Sequence, residues 1–256
     1  MGVVYEVFHR EWNRRLAMKI PLALGQGKDF SYQRWVREAH TWIDLGLHPR
    51  VVSCWFVKVW KDVPILFLDL FSGGSLKEKL ASRSGPPQSS EEWGEAITWL
   101  VHTCEGLQHS HQTGLIHRDI KPANLLFDFE GNLAVTDFGL SKAIGQEGEA
   151  TGNSSVAHRS RNGEIFDQQL SLTDTGVMSG TPHYAPPEQW MQKPVGPEAD
   201  IYAFAILAYE VLVGRHPFEP PGETWALGQL IAAHLMDKPA SVQKIQPDVP
   251  LSLIHI

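Results

Sequence analysis

The sequence predicts an α+β fold with two unequal lobes, on three observations. Strand-like alternation is concentrated in residues 1–71, and helical periodicity dominates afterwards. Between the two kinds of pattern, residues 115–127, "LIHRDIKPANLLF", place a burst of charge between apolar flanks. Residues 1–20 read as two strands, "GVVYEVFHR" and "LAMKI", joined by the polar turn "EWNRR". Residues 31–45 switch to helical spacing, with Trp35, Glu38 and Trp42 on one face. A carboxylate among core-facing aromatics calls for a partner, because an unpaired buried charge is costly. "VVSCWFVKVW" and "PILFLDLF" are two further strands, and "SGGSLKEKL" turns into a helix. From Glu91 the pattern is helical to about His109. A short hairpin then follows the charged stretch, with Glu130-Gly131-Asn132 at its turn. Residues 145–178 are polar, rich in Gly and Ser, and without a period; so long a loop in a compact domain is functional or disordered. Residues 201–214, "IYAFAILAYEVLVG", form a buried core helix.

Bulk properties narrow the function classes. The chain has 256 residues, 43% hydrophobic and 20% charged, which suits one large domain or two small lobes. A net charge of −7 argues against a surface built to neutralise nucleic-acid phosphates. Two cysteines, Cys54 and Cys104, make no disulfide framework and are expected to be buried thiols in a reducing compartment. No signal peptide is visible, and the apolar run at 201–214 falls short of the about 20 residues a bilayer span needs. The expectation is a cytoplasmic chain with no membrane span of its own and no nucleic-acid partner.

The charged stretch could be a solvated turn or a catalytic loop held by a buried frame. Taken alone, each short motif reads blandly: Asp-Phe-Gly as a turn, His-Arg-Asp as a surface cluster, a strand Lys as a snorkelling side chain. Their conjunction decides. "LAMK", "HRDIKPANLLF", "TDFG" and "GTPHYAPPEQW" occur in order, with five residues from Asp119 to Asn124 and thirteen from Asn124 to Asp137. This set resembles the eukaryotic-type (Hanks-type) protein kinases, serine/threonine branch, from Gly2 to about Pro250.

The resemblance implies a two-lobed kinase-like fold: a small β-rich N-lobe over 1–71, a larger helical C-lobe over 72–250, and a tail, 251–256, that fits no element. It implies ATP and Mg²⁺ as cofactors. Asp119 would accept the proton of the attacking hydroxyl, and Asn124 and Asp137 would offer oxygens to the metal. Lys19 would hold the α- and β-phosphates and pair with Glu38, and Lys121 would meet the transferred γ-phosphoryl. Trp42 would pack on Phe138. Leu68 takes the gatekeeper position, the Asp69 carbonyl and Phe71 N–H would bond the adenine edge, Val4 and Ala17 would roof the ring, and Leu126 would floor it. Gly2 matches the last glycine of the phosphate loop, whose first two would lie ahead of Met1. The family also continues beyond Pro250 with an Arg for the residue matching Glu188, so the chain is read as a fragment truncated at both ends. Pro186-Pro187-Glu188 replaces the usual Ala-Pro-Glu.

Lys121 and Gly180-Thr181 mark the serine/threonine branch, with Thr181 bonding Asp119 and Lys121. The implied partners are protein substrates bearing Ser or Thr. Arg118 would grip a phosphate on the activation segment, with Ser171, Thr173, Thr175 and Ser179 as candidates, placed by an upstream kinase or by self-phosphorylation. "LQHSHQTGLIHRD" matches the family's passage into the catalytic loop, so His102, His109 and His111 are not read as metal ligands. Alternatives stay open: a pseudokinase-type binding scaffold, a nucleotide sensor without transfer, or an inactive fragment of an active kinase.

Overall fold

The structure is a computed structural model, and it describes residues 2–21, 32–61, 63–83, 85–138, 182–191, 193–218, 226–247 and 249. For residues 32–35, 37 and 38 only the backbone is described. The polar stretch 145–178 and the tail 251–256 lie outside the described residues.

The N-terminal part is a four-stranded antiparallel sheet of order β1-β2-β4-β3, with β1 Gly2–His9, β2 Arg14–Pro21, β3 Cys54–Trp60 and β4 Val63–Asp69. The β1–β2 turn closes with Asn13 at φ 48°, a left-handed conformation that Asn tolerates better than most residues. Register pairs Ala17 with Glu6 and Leu68, and Lys19 with Val4 and Leu66. With a period of two, Ala17, Lys19, Leu66 and Leu68 share one face and Leu16, Met18, Phe67 and Asp69 the other. On that second face Phe56 stacks on Phe67 at 4.5 Å, and Trp12 packs edge-on to Phe56 at 5.5 Å. Helix α1, Tyr32–Asp44, packs against β3 and β4.

Helices dominate from residue 76. Helix α2, Leu76–Ser82, starts with a reciprocal capping box: Ser75 Oγ accepts from Glu78 N–H, and Glu78 accepts from Ser75 N–H. Helix α3, Ser90–Gln112, buries Trp99, Thr103, Gly106, Leu107 and Ser110 along one stripe. Cys104 lies off that stripe and is exposed, so the expectation of two buried thiols holds only for Cys54. Gly106 admits a close crossing, since a Cβ there would sit 2.5 Å from the Arg50 carbonyl oxygen. That crossing lets α3 lie on the hairpin of β5, Leu125–Phe127, and β6, Leu133–Val135. The hairpin turn spans Asp128 to Asn132, with Asp128 Oδ1 accepting from the Glu130 and Asn132 amides at 2.9 and 2.8 Å.

Beyond short α4, Pro187–Trp190, helix α5, Glu198–Val213, is buried on most sides, as its apolar run predicts. It ends at Gly214, φ 76°, a left-handed cap that a side chain resists. Helices α6, Leu227–Met236, and α7, Val242–Ile245, follow. One core joins both parts: Trp42, Val52, Leu66, Leu125, Val135, Phe138 and Leu207 belong to a single buried cluster. Among the described residues, no helix is long and apolar enough to cross a membrane.

Candidate active site

The charged stretch leaves α3 and hangs from three buried supports. The first is Asp200, at the start of α5 and fully buried. It accepts the His117 amide at 2.8 Å and the Arg118 amide at 2.7 Å, and its Oδ2 lies 2.8 Å from His111 Nε2. The second is His117 itself, whose Nε2–H donates to the Thr136 carbonyl at 2.8 Å while Nδ1 accepts from Asp119 N–H at 3.2 Å. The third is a 3₁₀ turn over Pro122–Asn124, begun by a proline whose fixed φ suits it. Arg118 is held at φ 66° and Asp137 at φ 67°, sparsely populated for residues with side chains. Such strain persists where surrounding contacts over-determine it, and it clusters at functional sites.

These supports gather the side chains that the sequence singles out. Asp119 Oδ2 accepts from Lys121 Nζ at 2.6 Å and from Asn124 Nδ2 at 3.0 Å. Asn124 Nδ2 also donates to the Asp119 carbonyl at 2.7 Å, so its Oδ1 is the atom left for a ligand. Across the cleft, Lys19 Nζ forms a direct ion pair with Asp137 Oδ1. Among the described residues, the cleft pairs Lys121 with Asp119 and Lys19 with Asp137. The sequence pairs Lys19 with Glu38 instead; Asp137 is its partner among the described side chains, and the side chain of Glu38 lies outside them. Asp137 is brought within reach because β6 leads directly into it, and because Lys19 shares the cleft face with Leu66.

Of the expected adenine positions, Val4, Ala17 and Leu68 fall on the same face as Lys19. Ala17 and Leu68 are paired and buried at the sheet's cleft side, Val4 is exposed opposite Lys19, and Gly2 lies against Ile20 and Pro21. Phe71 and Leu126 are half-buried against the core, beyond Asp69 at the end of β4. Trp42 meets Phe138 at 6.1 Å between ring centroids, and Phe138 meets His117 at 4.7 Å, a buried column from α1 to the catalytic loop. Trp42 Nε1–H also donates to the Val52 carbonyl at 2.8 Å. Thr181 and the regulatory candidates Ser171, Thr173, Thr175 and Ser179 lie outside the described residues.

Some functional partners escape sequence reasoning. Asp200 carried a faint signal, a carboxylate opening the most apolar helix. His111 stood out only as one histidine of three; the structure sends His102 to the Leu133 amide and His109 to the Leu45 carbonyl. Tyr184, whose hydroxyl donates to Glu210 at 2.5 Å, stood inside the quoted motif GTPHYAPPEQW, but its distant partner had no signal.

Residues 1–242 match the family model described as the protein kinase domain. The chain belongs to the protein kinase family. It is 28% identical over 244 residues to a probable serine/threonine-protein kinase PknB of Lactococcus lactis, covering 95% of this chain and 34% of that protein. Serine/threonine-protein kinase PrkC of Bacillus subtilis is 30% identical, with 95% of this chain and 33% of the relative covered. Serine/threonine-protein kinase Pkn1 of Myxococcus xanthus is 29% identical, over 100% of this chain and 33% of its own length. The chain therefore spans about a third of the length of these curated relatives.

Proposed function

We propose that this chain is the catalytic part of a serine/threonine protein kinase that moves the γ-phosphoryl of ATP to Ser or Thr hydroxyls of protein substrates. The convergence of Lys121 and Asn124 on Asp119 Oδ2, with Lys19 and Asp137 facing them, carries this reading. Phosphoryl transfer gains chiefly from positioning and charge neutralisation, and this cleft is built for both. Asp119, held from two sides, orients the substrate hydroxyl and takes its proton. Lys121 moves from Asp119 toward the transferred group as charge develops there. Lys19 leaves Asp137 for the α- and β-phosphates. The side-chain oxygens of Asn124 and Asp137 suit a hard divalent cation, Mg²⁺, which when bound neutralises phosphate charge. The adenine edge meets the Asp69 carbonyl and the Phe71 amide, between Val4 and Ala17 above and Leu126 below.

In this reading residues 1–71 form the N-lobe and 72–250 the C-lobe, and the protein works in the cytoplasm. Arg118 binds a phosphate set on the activation segment at Ser171, Thr173, Thr175 or Ser179, by an upstream kinase or by the protein itself. Glu38 and Thr181 complete the set, pairing with Lys19 and with Asp119 and Lys121.

The test is transfer of label from γ-labelled ATP to a generic basic protein by the product of the full reading frame. Asp119→Asn should lower turnover about 10²- to 10⁴-fold while leaving ATP binding. A folded protein that binds ATP and transfers nothing would instead be a scaffold.

A further inference from the structure

The adenine contacts proposed above are two backbone groups at a strand end, so their accuracy depends on what holds that end. The β2–β4 ladder finishes at the pair Leu16–Asp69. Beyond it the chain runs toward α2 without a ladder partner from β2. The side chain of Asp69 points to the outer face of the sheet, away from Leu68 and the cleft. There its Oδ1 accepts from Arg14 Nη2 at 2.7 Å and from Trp55 Nε1–H at 2.8 Å. The Arg14 guanidinium carbon also sits 4.6 Å from the centre of the Trp55 ring. Each of the three residues therefore touches the other two, and they come from three strands. The Asp69 amide is fixed as well, donating to the Ser53 carbonyl at 3.0 Å. Trp12 packs edge-on against Trp55 at 5.6 Å.

We propose that Arg14 and Trp55 are positioning residues for the nucleotide base: by clamping Asp69 from the far side of the sheet they fix the backbone of 69–71 for adenine. An isolated Arg–Asp pair at this exposure, 40% for Arg14 and 22% for Asp69, would do little. Two donors on one oxygen, with the cation stacked on the second donor's ring, define direction as well as distance. The clamp touches neither phosphate-facing group, Lys19 or Asp137, so it sharpens base binding and leaves phosphate binding alone. This inference rests on reading the cleft as an ATP site.

The two ligand halves separate the possibilities. Adenosine and magnesium tripolyphosphate are titrated calorimetrically into the product of the full reading frame, and KM for ATP and kcat are measured alongside. Trp55→Phe keeps the ring and removes the N–H; Arg14→Met keeps the stem and removes the charge. Each should weaken adenosine about three- to tenfold, with tripolyphosphate unchanged, KM for ATP rising in step and kcat held. The double variant should fall short of the sum, as members of one unit do. Trp60→Phe, an exposed N-lobe tryptophan outside the clamp, should change nothing. Asp69→Asn, which keeps one oxygen acceptor and exchanges the charge and the other oxygen for an NH₂, gives the same readout should either larger change unfold the lobe. Adenosine affinity equal to wild type in the variants, or parallel loss of both ligands, overturns the clamp and leaves the kinase reading standing. Wild-type protein that binds neither adenosine nor ATP overturns both.

Discussion

Between α5 and α6, the Tyr202 hydroxyl and His234 Nδ1 are 2.7 Å apart, and the rings of Phe218 and His216 lie 4.8 and 5.9 Å from the His234 ring. Nε2 of His234 is buried. Burial first, then the neighbouring His216 and His183, pushes the His234 pKa down to about 4, while burial and Glu188 push Tyr202 up to about 12. The folded state therefore keeps His234 neutral where the unfolded chain, titrating near 6.5, takes up a proton. Its contribution is whole above about pH 6.5 and is lost as pH falls toward about 4. Urea unfolding should show about 2 kcal/mol less stability from this group at about pH 5 than at about pH 7.5. His234→Asn should flatten that slope, and an unchanged slope would assign it to other groups. At this scale the sequence was legible where chemistry is ordered along the chain: Asp119, Lys121, Asn124 and Asp137 stand within one loop and one hairpin. It was silent where partners are distant, as with Asp69 and its two donors.

At the scale of elements, the loop that carries Asp119 is hung from a helix as well as braced within itself. Asp200→Ala would strand two backbone amides and the ring of His111, at a cost of about 3 kcal/mol. Turnover should fall further than stability alone explains, because Arg118 would relax from φ 66° and carry Asp119 with it. Asp200→Asn, which keeps one acceptor, should fall between, as read by urea unfolding and transfer rate on the same samples. The elements themselves were easy to read, since strand alternation and helix spacing are local. The hairpin and α5 followed from turn residues and an apolar run. The exposure of Cys104 was missed because α3 buries a stripe, and which residues lie off it depends on what it packs against.

Over the whole molecule, Trp42, Phe138 and His117 form the column that makes one core of two parts. Trp42 is 1% exposed, reaching from α1 to Phe138 and the Val52 carbonyl. Trp42→Ala should cost about 3–5 kcal/mol, and thermal unfolding should show it as a lower midpoint of one cooperative transition. Two separate transitions would mean that the parts melt independently. The Trp42–Phe138 contact was expected from the family resemblance, whereas the contact of Lys19 with Asp137 was not, because the two lie 118 residues apart and only the fold brings them together. The support of the catalytic loop by Asp200 also sets an order of events in synthesis. His117 and Asp200 are 83 residues apart, a stretch that takes on the order of ten seconds to translate. A growing chain carries Asp119 through that interval on its local contacts with His117, Lys121 and Asn124 alone, and the amides of His117 and Arg118 gain their anchor only when α5 has been made.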